Sequence, residues 1–447
     1  MRWSRWMPSR QPFCGSATCA RPRKERQMQD DRVVVIGAGV IGTMTARALA
    51  KRGQRVTLIE RLPGAAELCS RGNAGMMAVG HAKAWAEPAA IPALGRALLG
   101  REPAVRVSRL IDPALWRWGI DFLRHCTASA NAVNSDRERR LARFSRDMLK
   151  AAETEMGLPV ATAHEGALYL FQDGAQFRSY AAKVGTGGEI EALGPAALIA
   201  REPGLAAMRE RLAGGLLSHI DSVGDCHLFT RRTAAWLAET GRIEIRYDTA
   251  VTGFTRHNGR IVAVETSAGP VPCAQVVLAT GVETPDLTRP LGFAPAIYPV
   301  KGYSGTWRIT DPTGVPRLPF VDETELLAVA NYGDRLRVTA IAEFAGRDRS
   351  LPAERVKLLD DYVRRSFGTA VDLDTPEFWT GLRPTTPAGP PFLGKVKGVA
   401  NLWINAGHGQ LGWTMSLGAG EILAQHLTGE TPALRDVSAR ARWLAAA

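Results

Sequence analysis

Three stretches of the 447-residue sequence predict an α/β fold class: a Rossmann-like dinucleotide-binding domain joined to an α+β domain built on a mixed sheet. The first, VVVIGAGVIG at 33–42, runs four apolar residues into glycines spaced G-x-G-x-x-G. The second, QRVTLIE at 54–60, is a strand that ends on an acid. The third is β-rich chain from 244 onward, where Asn258-Gly259 stands between alternating strands, the strongest short hairpin signal.

The length allows two domains, each with its own core. Apolar content of 45% and charged content of 22% are ordinary for a globular enzyme. No apolar run approaches the roughly 18–20 residues that span a bilayer. A net charge of +12 raises nucleic acid or an anionic membrane as partners, so its placement matters. Residues 1–27 hold seven Lys or Arg and one Glu, hence +6 of that +12. They lack the apolar core of a secretory signal and show no periodicity, so a disordered leader outside the fold is expected, with Met28 a natural start. The rest shows no aromatic-basic nucleic-acid motif, and no nucleic acid is expected. Cys14, Cys19, Cys69, Cys126, Cys226 and Cys273 form no C-x-x-C pair. Zinc spacing is missing, no metal is expected, and a reducing cytoplasm is the default compartment.

Taken in order, RVVVI is a buried strand and VIGTMTARALAKRG an amphipathic helix stopped by Gly53, where a left-handed cap needs glycine. Gly37, Gly39 and Gly42 would bring the first helical amides to a pyrophosphate. Glu60, 23 residues beyond Gly37, stands where an acid accepts ribose hydroxyls. From 85 to 125, Leu, Ile and Trp alternate with Arg in short helices broken by prolines. Trp85, Trp116 and Trp118 among arginines suggest a membrane surface; ordinary surface helices are the plainer reading. Residues 136–156 read as a strong helix with Leu141, Phe144, Met148 and Ala151 or Ala152 on its apolar face and its charge run solvated. Strands at 166–171 and 214–220, a helix around HLFTRRTAAWLAETG, and the 244–279 meander follow. More β-rich material follows to 342, and the chain closes with a loop, a strand and a helix after GLRPTTPAGPPFLG.

VVVIGAGVIG with Glu60, SRGNAGMM (70–77), GDCHLFT (224–230), VVLATG (276–281), YPVKGYS (298–304), FWTGLRPTTPAGPPFLG (378–394) and LWINAGHGQLGWTMSLGAGEIL (402–423) together resemble the D-amino-acid dehydrogenase branch of the D-amino-acid oxidase superfamily. The match covers residues 31–434. The resemblance implies a D-amino-acid-oxidase-like fold and FAD, bound non-covalently. It divides the chain into a discontinuous FAD-binding domain (28–84, 138–163, 220–285 and 380–434), a substrate domain (85–137, 164–219 and 286–379) and a tail at 435–447. The glycines with Val40 and Ile41 would hold the pyrophosphate, Glu60 and Arg61 the adenosine side, and Val251 the adenine edge. Ser70, Asn73, Ala74, Gly75 and Met76 would pass the flavin ring, with Gly281 nearby. Gly407, His408, Gly409, Gly412, Trp413 and Thr414 would aim a helix N-terminus at the flavin, favouring the negative charge that reduction places there.

The activity implied is oxidation of a D-amino acid to an imino acid, which water converts to a 2-oxo acid and ammonia, with electrons passing to a quinone or other respiratory acceptor. Arg383 is the expected carboxylate clamp, since a guanidinium offers two parallel donors. Tyr303 is expected either to assist it or to pack in the core, and His81 either to touch substrate or to be a satisfied loop histidine. Cyclic substrates such as D-proline or cis-4-hydroxy-D-proline, and a glycine- or sarcosine-type oxidase releasing hydrogen peroxide, are the alternatives. So is a flavin subunit of a larger electron-transfer assembly. The expected location is cytoplasmic, with peripheral contact at the inner membrane through 85–125.

Overall fold

A computed structural model describes residues 31–101, 105–157, 161–163, 165–184 and 188–445. The basic leader at 1–27, with Cys14 and Cys19, lies outside the described residues. Val33–Ile36, Val56–Ile59, Ile243–Arg246, Gln275–Leu278 and Leu402–Ala406 form five parallel strands, with Phe392–Lys395 added antiparallel at one edge. All four residues of Val33–Ile36 are buried, as a central parallel strand covered on both faces requires.

One face carries the helix Val40–Lys51 that follows the glycine turn, the C-terminal helix Gly412–Thr428 and the long helix Ala128–Met156. The other carries the hairpin Val251–His257 and Arg260–Thr266, whose Ile261 and Val264 pack on Val34, Ile36 and Val276. Asn258 and Gly259 turn that hairpin at φ +48° and +74°, the two left-handed positions of the expected tight turn.

The second sheet is mixed and nine-stranded. Its spatial order runs Glu377–Thr385, Tyr298–Arg308, Arg335–Phe344, Leu327–Asn331, Phe320–Asp322, Ala167–Phe171, Gly214–Ser218 and Ile190–Leu193, with Val105–Val107 paired alongside Arg335–Phe344. One face rests on the helix Ala353–Phe367 through Leu336, Val338, Leu359 and Tyr362. The other turns toward the first sheet, and the main cavity lies between them.

Two expectations change. The long helix starts at Ala128, capped by the Thr127 hydroxyl, which accepts the Ala130 N–H at 3.2 Å. Its charge run is not simply solvated, because Arg137 and Glu138 are buried on the face that carries Leu141, Leu149 and Ala152. Arg137 donates to Asp436 at 2.7 Å, pairing the helix with the C-terminal tail. In 85–125 the helices are Ala90–Leu98 and Pro113–His125, the second capped by Asp112. Trp118 is buried, its indole N–H donating to the Thr385 carbonyl at 2.9 Å, and Trp85 faces the cavity. Of the three tryptophans only Trp116 is on the outside, at 50% exposure.

Candidate active site

The cavity encloses about 910 Å³ and runs from Glu60 and Val251, past Gly37 and Gly39, to the space between Arg383 and the N-terminus of the C-terminal helix. At its nucleotide end the geometry comes from two glycines. A Cβ on Gly42 would stand 1.8 Å from the Gly37 carbonyl oxygen, and one on Gly37, at φ +98°, would stand 2.7 Å from the Ala279 carbonyl oxygen. Strand and helix meet that closely only without side chains. Gly42 therefore stands behind the cavity wall, while Gly39, Val40 and Ile41 form it.

Gly39 occupies the helix N-cap and has no side chain with which to cap the first amides; the Val40 N–H donates to the Ser70 hydroxyl at 3.1 Å. Glu60 is fixed by the Ala38 N–H at 2.8 Å and the Leu62 N–H at 3.1 Å, so its carboxylate is oriented at the cavity wall. Arg61 lines the same end but donates to Glu283 at 2.8 Å. Val251 lies beside Thr249 and Ala250.

The 70–76 loop reaches the middle of the cavity. Asn73 accepts the Gly75 N–H at 3.0 Å, and the Gly75 carbonyl accepts the Trp413 indole N–H at 3.1 Å and the Gly224 N–H at 2.9 Å. Gly75 is thus a strut behind the wall, with Ala74 and Met76 on it. Gly407, Gly409, Gly412, Trp413 and Thr414 line the opposite side, and Gly281 completes it. The helix they open has no side-chain cap. His408 is 2% exposed, neither ring nitrogen has a partner among the described residues, and burial pushes its pKa down to about 3. Burial thus favours the neutral imidazole.

At the far end the strand Glu377–Thr385 presents Arg383. Its Nη1 donates to the Ile341 carbonyl at 2.9 Å, and among the described residues no carboxylate pairs with it. Burial lowers its pKa, yet the guanidinium faces the cavity. Two features hold it there. Ile341 adopts φ +69°, a left-handed conformation that is an outlier for a β-branched side chain, within a break of register between Tyr298–Arg308 and Arg335–Phe344. Such a bulge redirects backbone groups beside a site, and here one carbonyl meets the guanidinium. Below it, a Cβ on Gly302 would fall 2.5 Å from Nη2, so the guanidinium lies flat against bare backbone.

Tyr303 borders the cavity, but its hydroxyl donates to the buried Glu343 at 2.5 Å and its ring packs with Trp307 and Tyr362. Of its two expected roles, these contacts favour the packed one. His81 stacks on Tyr169 with centroids 4.6 Å apart and lies 3.4 Å from Glu323; burial lowers its pKa to about 4. Sequence reading missed Ile341, Trp379 and Glu323 on the wall. Gly302 and Trp379 lay inside quoted motifs, but Ile341, in a strand, and Glu323, in the turn after one, belong to segments without one.

An uncapped helix N-terminus, a fixed acid one strand away and a second helix N-terminus along one continuous cavity match FAD, with its pyrophosphate, ribose and electron-accepting ring. Residues 32–426 match a family described as FAD dependent oxidoreductase. A D-amino acid dehydrogenase of Paramagnetospirillum magneticum is 40% identical over 409 residues, covering 90% of this chain and 96% of its own. One of Cereibacter sphaeroides is 41% identical over 406 residues, covering 90% and 92%. Among solved structures, glycine oxidase from Geobacillus kaustophilus superposes with a TM-score of 0.70 at 22% identity, covering 90% of this chain and 96% of that one. L-Proline dehydrogenase from P. horikoshii gives 0.65 at 18%, covering 90% and 94%. These two likenesses are of fold.

Proposed function

The chain belongs to the FAD dependent oxidoreductase family, among the D-amino acid dehydrogenases, and on that premise we propose that it oxidises D-amino acids at the Arg383 end of the cavity. The observation that carries this is the unpaired guanidinium, desolvated, facing the cavity and held between the Ile341 carbonyl and Gly302. A buried cation left without an anion is costly, and a substrate carboxylate supplies one.

Arg383 binds the carboxylate with its free donors and so fixes where Cα lies. Bound FAD supplies the acceptor for the two electrons and the hydrogen that leave Cα. Gly37, Val40, Ile41 and Glu60 would hold the nucleotide, and the first turn of Gly412–Thr428 would favour negative charge beside it. The neutral amine is the reactive form, and orientation does most of the work. The imino acid that leaves is hydrolysed by water to a 2-oxo acid and ammonia.

The test is anaerobic. Purified yellow protein is mixed with D-alanine, D-proline, cis-4-hydroxy-D-proline and their L-forms while flavin absorbance is followed. Bleaching by D-forms supports the reading, and the fastest substrate separates primary from cyclic amines. Bleaching by dithionite alone would overturn it, and hydrogen peroxide formed in air would favour an oxidase.

For the acceptor we propose a membrane quinone, met at the cytoplasmic face of the inner membrane. Among the described residues no helix is long and apolar enough to cross a membrane. However, nine of the fourteen exposed large apolar residues among those described fall between Ile91 and Val133, including Leu99 at 71% and Ile111 at 94%. Arg96, Arg101, Arg109, Arg117 and Arg124 are exposed among them, a pattern that suits an anionic bilayer surface. The cavity wall includes Ala90, Leu94 and Trp118 from the same two helices. Co-sedimentation with anionic but not neutral vesicles, lost on Ile111→Asp with Leu99→Asp, supports this. Equal sedimentation of parent and variant would sink it.

A further inference from the structure

Arg383 is not the only unmatched charge on the cavity wall. Glu323, immediately after the strand Phe320–Asp322, lines the same cavity with its side chain only 10% exposed. Its nearest partner is His81 at 3.4 Å, and burial keeps that imidazole neutral, with a pKa of about 4. Burial also raises the Glu323 carboxyl pKa; nearby Lys83 works against that shift, and Asp322 adds to it. Lys83 is itself shared with Glu87, 3.6 Å away. The nearby acid Asp221, bonded to the wall residue Tyr169, is engaged: it accepts the Gly80 N–H at 2.7 Å and the Tyr169 hydroxyl at 2.6 Å. Among the described residues the Glu323 carboxylate has His81 as its ion-pair contact, at 3.4 Å, and it keeps acceptor positions open toward the cavity.

We propose that Glu323 forms a substrate side-chain subsite that takes a cationic, hydrogen-bond-donating terminus, and that the preferred D-amino acids are those with long basic side chains. The proposal rests on the reading of Arg383 as the carboxylate clamp. The two charges mark the ends of the substrate space. Arg383 lies over Gly302 on the strand Tyr298–Arg308, and Glu323 follows a strand three places further across the sheet. At strand spacing this is roughly 14 Å between backbones, part of it taken up by the Glu323 side chain itself. The α-amine is one carbon from the carboxylate held at Arg383, so it cannot reach Glu323; the end of a lysine-, ornithine- or arginine-like chain can. On the strands between the two charges the wall includes Ala328, Ala340 and Ala342 together with Leu327, Thr339 and Ile341, a largely apolar lining that suits an aliphatic chain. A buried carboxylate facing a neutral side chain would remain desolvated and unmatched, which is the physical basis of discrimination.

The test uses the FAD-loaded protein and ligands that cannot be oxidised at Cα because they lack the α-amine. Binding of 6-aminohexanoate and of hexanoate is measured by flavin absorbance perturbation and by calorimetry, for the parent and for Glu323→Gln. The expected result is that 6-aminohexanoate binds the parent at least about tenfold more tightly, and that in the variant this gap shrinks to about twofold. The melting temperature and flavin spectrum of the variant establish that it is folded, and Glu323→Asp should restore part of the gap. Equal binding of the two ligands by the parent, or equal weakening of both in the variant, would overturn the subsite. If neither ligand binds and no D-amino acid bleaches the flavin, the carboxylate clamp fails as well, which is a distinct outcome.

Discussion

At the scale of single residues, the site depends on side chains that are absent or left unpaired. Gly302 has no Cβ, and the Arg383 guanidinium occupies that space. Gly302→Ala should displace it, raising KM for carboxylate substrates about tenfold or more while FAD affinity stays within about twofold. Steady-state kinetics with a parallel FAD titration separates the two effects. Glu138 gives a second prediction. It is 3% exposed, Oε2 has no partner, and burial pushes its pKa up to about 8 from an ordinary 4.5. A raised carboxyl pKa means the folded state holds the proton more tightly, so its stabilising effect is complete below about pH 4.5 and fades as pH rises through 8. Glu138→Gln keeps the neutral form at every pH. Its melting temperature should lie near the parent's at pH 5 and above it by about a few degrees at pH 8.5. A difference independent of pH would refute this.

At the scale of elements, the joint between Val33–Ile36 and Val40–Lys51 sets the nucleotide end. Gly42→Ala would drive a methyl group into the Gly37 carbonyl, 1.8 Å away, so the helix and the turn that follows the strand would have to separate. FAD affinity of the apoprotein, measured by fluorescence titration, should fall by an order of magnitude or more, with a lower melting temperature. Parent-like affinity would show that the helix can shift freely. The same joint shows why sequence reading worked here. Its three glycines, the apolar strand and Glu60 all act within one short β-α-β unit, so their spacing along the chain is their spacing in space. The long helix shows the converse. Arg137 and Glu138 resemble a solvated charge run until the C-terminal tail brings Asp436 to one and the core covers the other.

At the scale of the whole molecule, the cavity belongs to neither sheet alone: its nucleotide end comes from the parallel sheet and its Arg383 end from the mixed one. FAD bound in this cavity would contact elements of both sheets, and as a ligand of the folded state it should raise the melting temperature of the apoprotein in a concentration-dependent way. At about 1,000 times Kd the gain approaches about 4 kcal/mol. Scanning calorimetry across an FAD series tests this, and a melting temperature insensitive to FAD would contradict it.

The sequence by itself determined the fold class and, through a family resemblance, the cofactor, and it singled out the glycine turn, Glu60 and Arg383 that the structure places along one cavity, because each rests on a local pattern or a contiguous motif. Only the tertiary structure decided what surrounds them. The Ile341 bulge, the Glu343 partner that occupies the Tyr303 hydroxyl, the inward turn of Trp118 and the open carboxylate of Glu323 depend on strands and helices far apart in the chain. Such pairings are set by which surfaces pack together, and no spacing along the sequence encodes them.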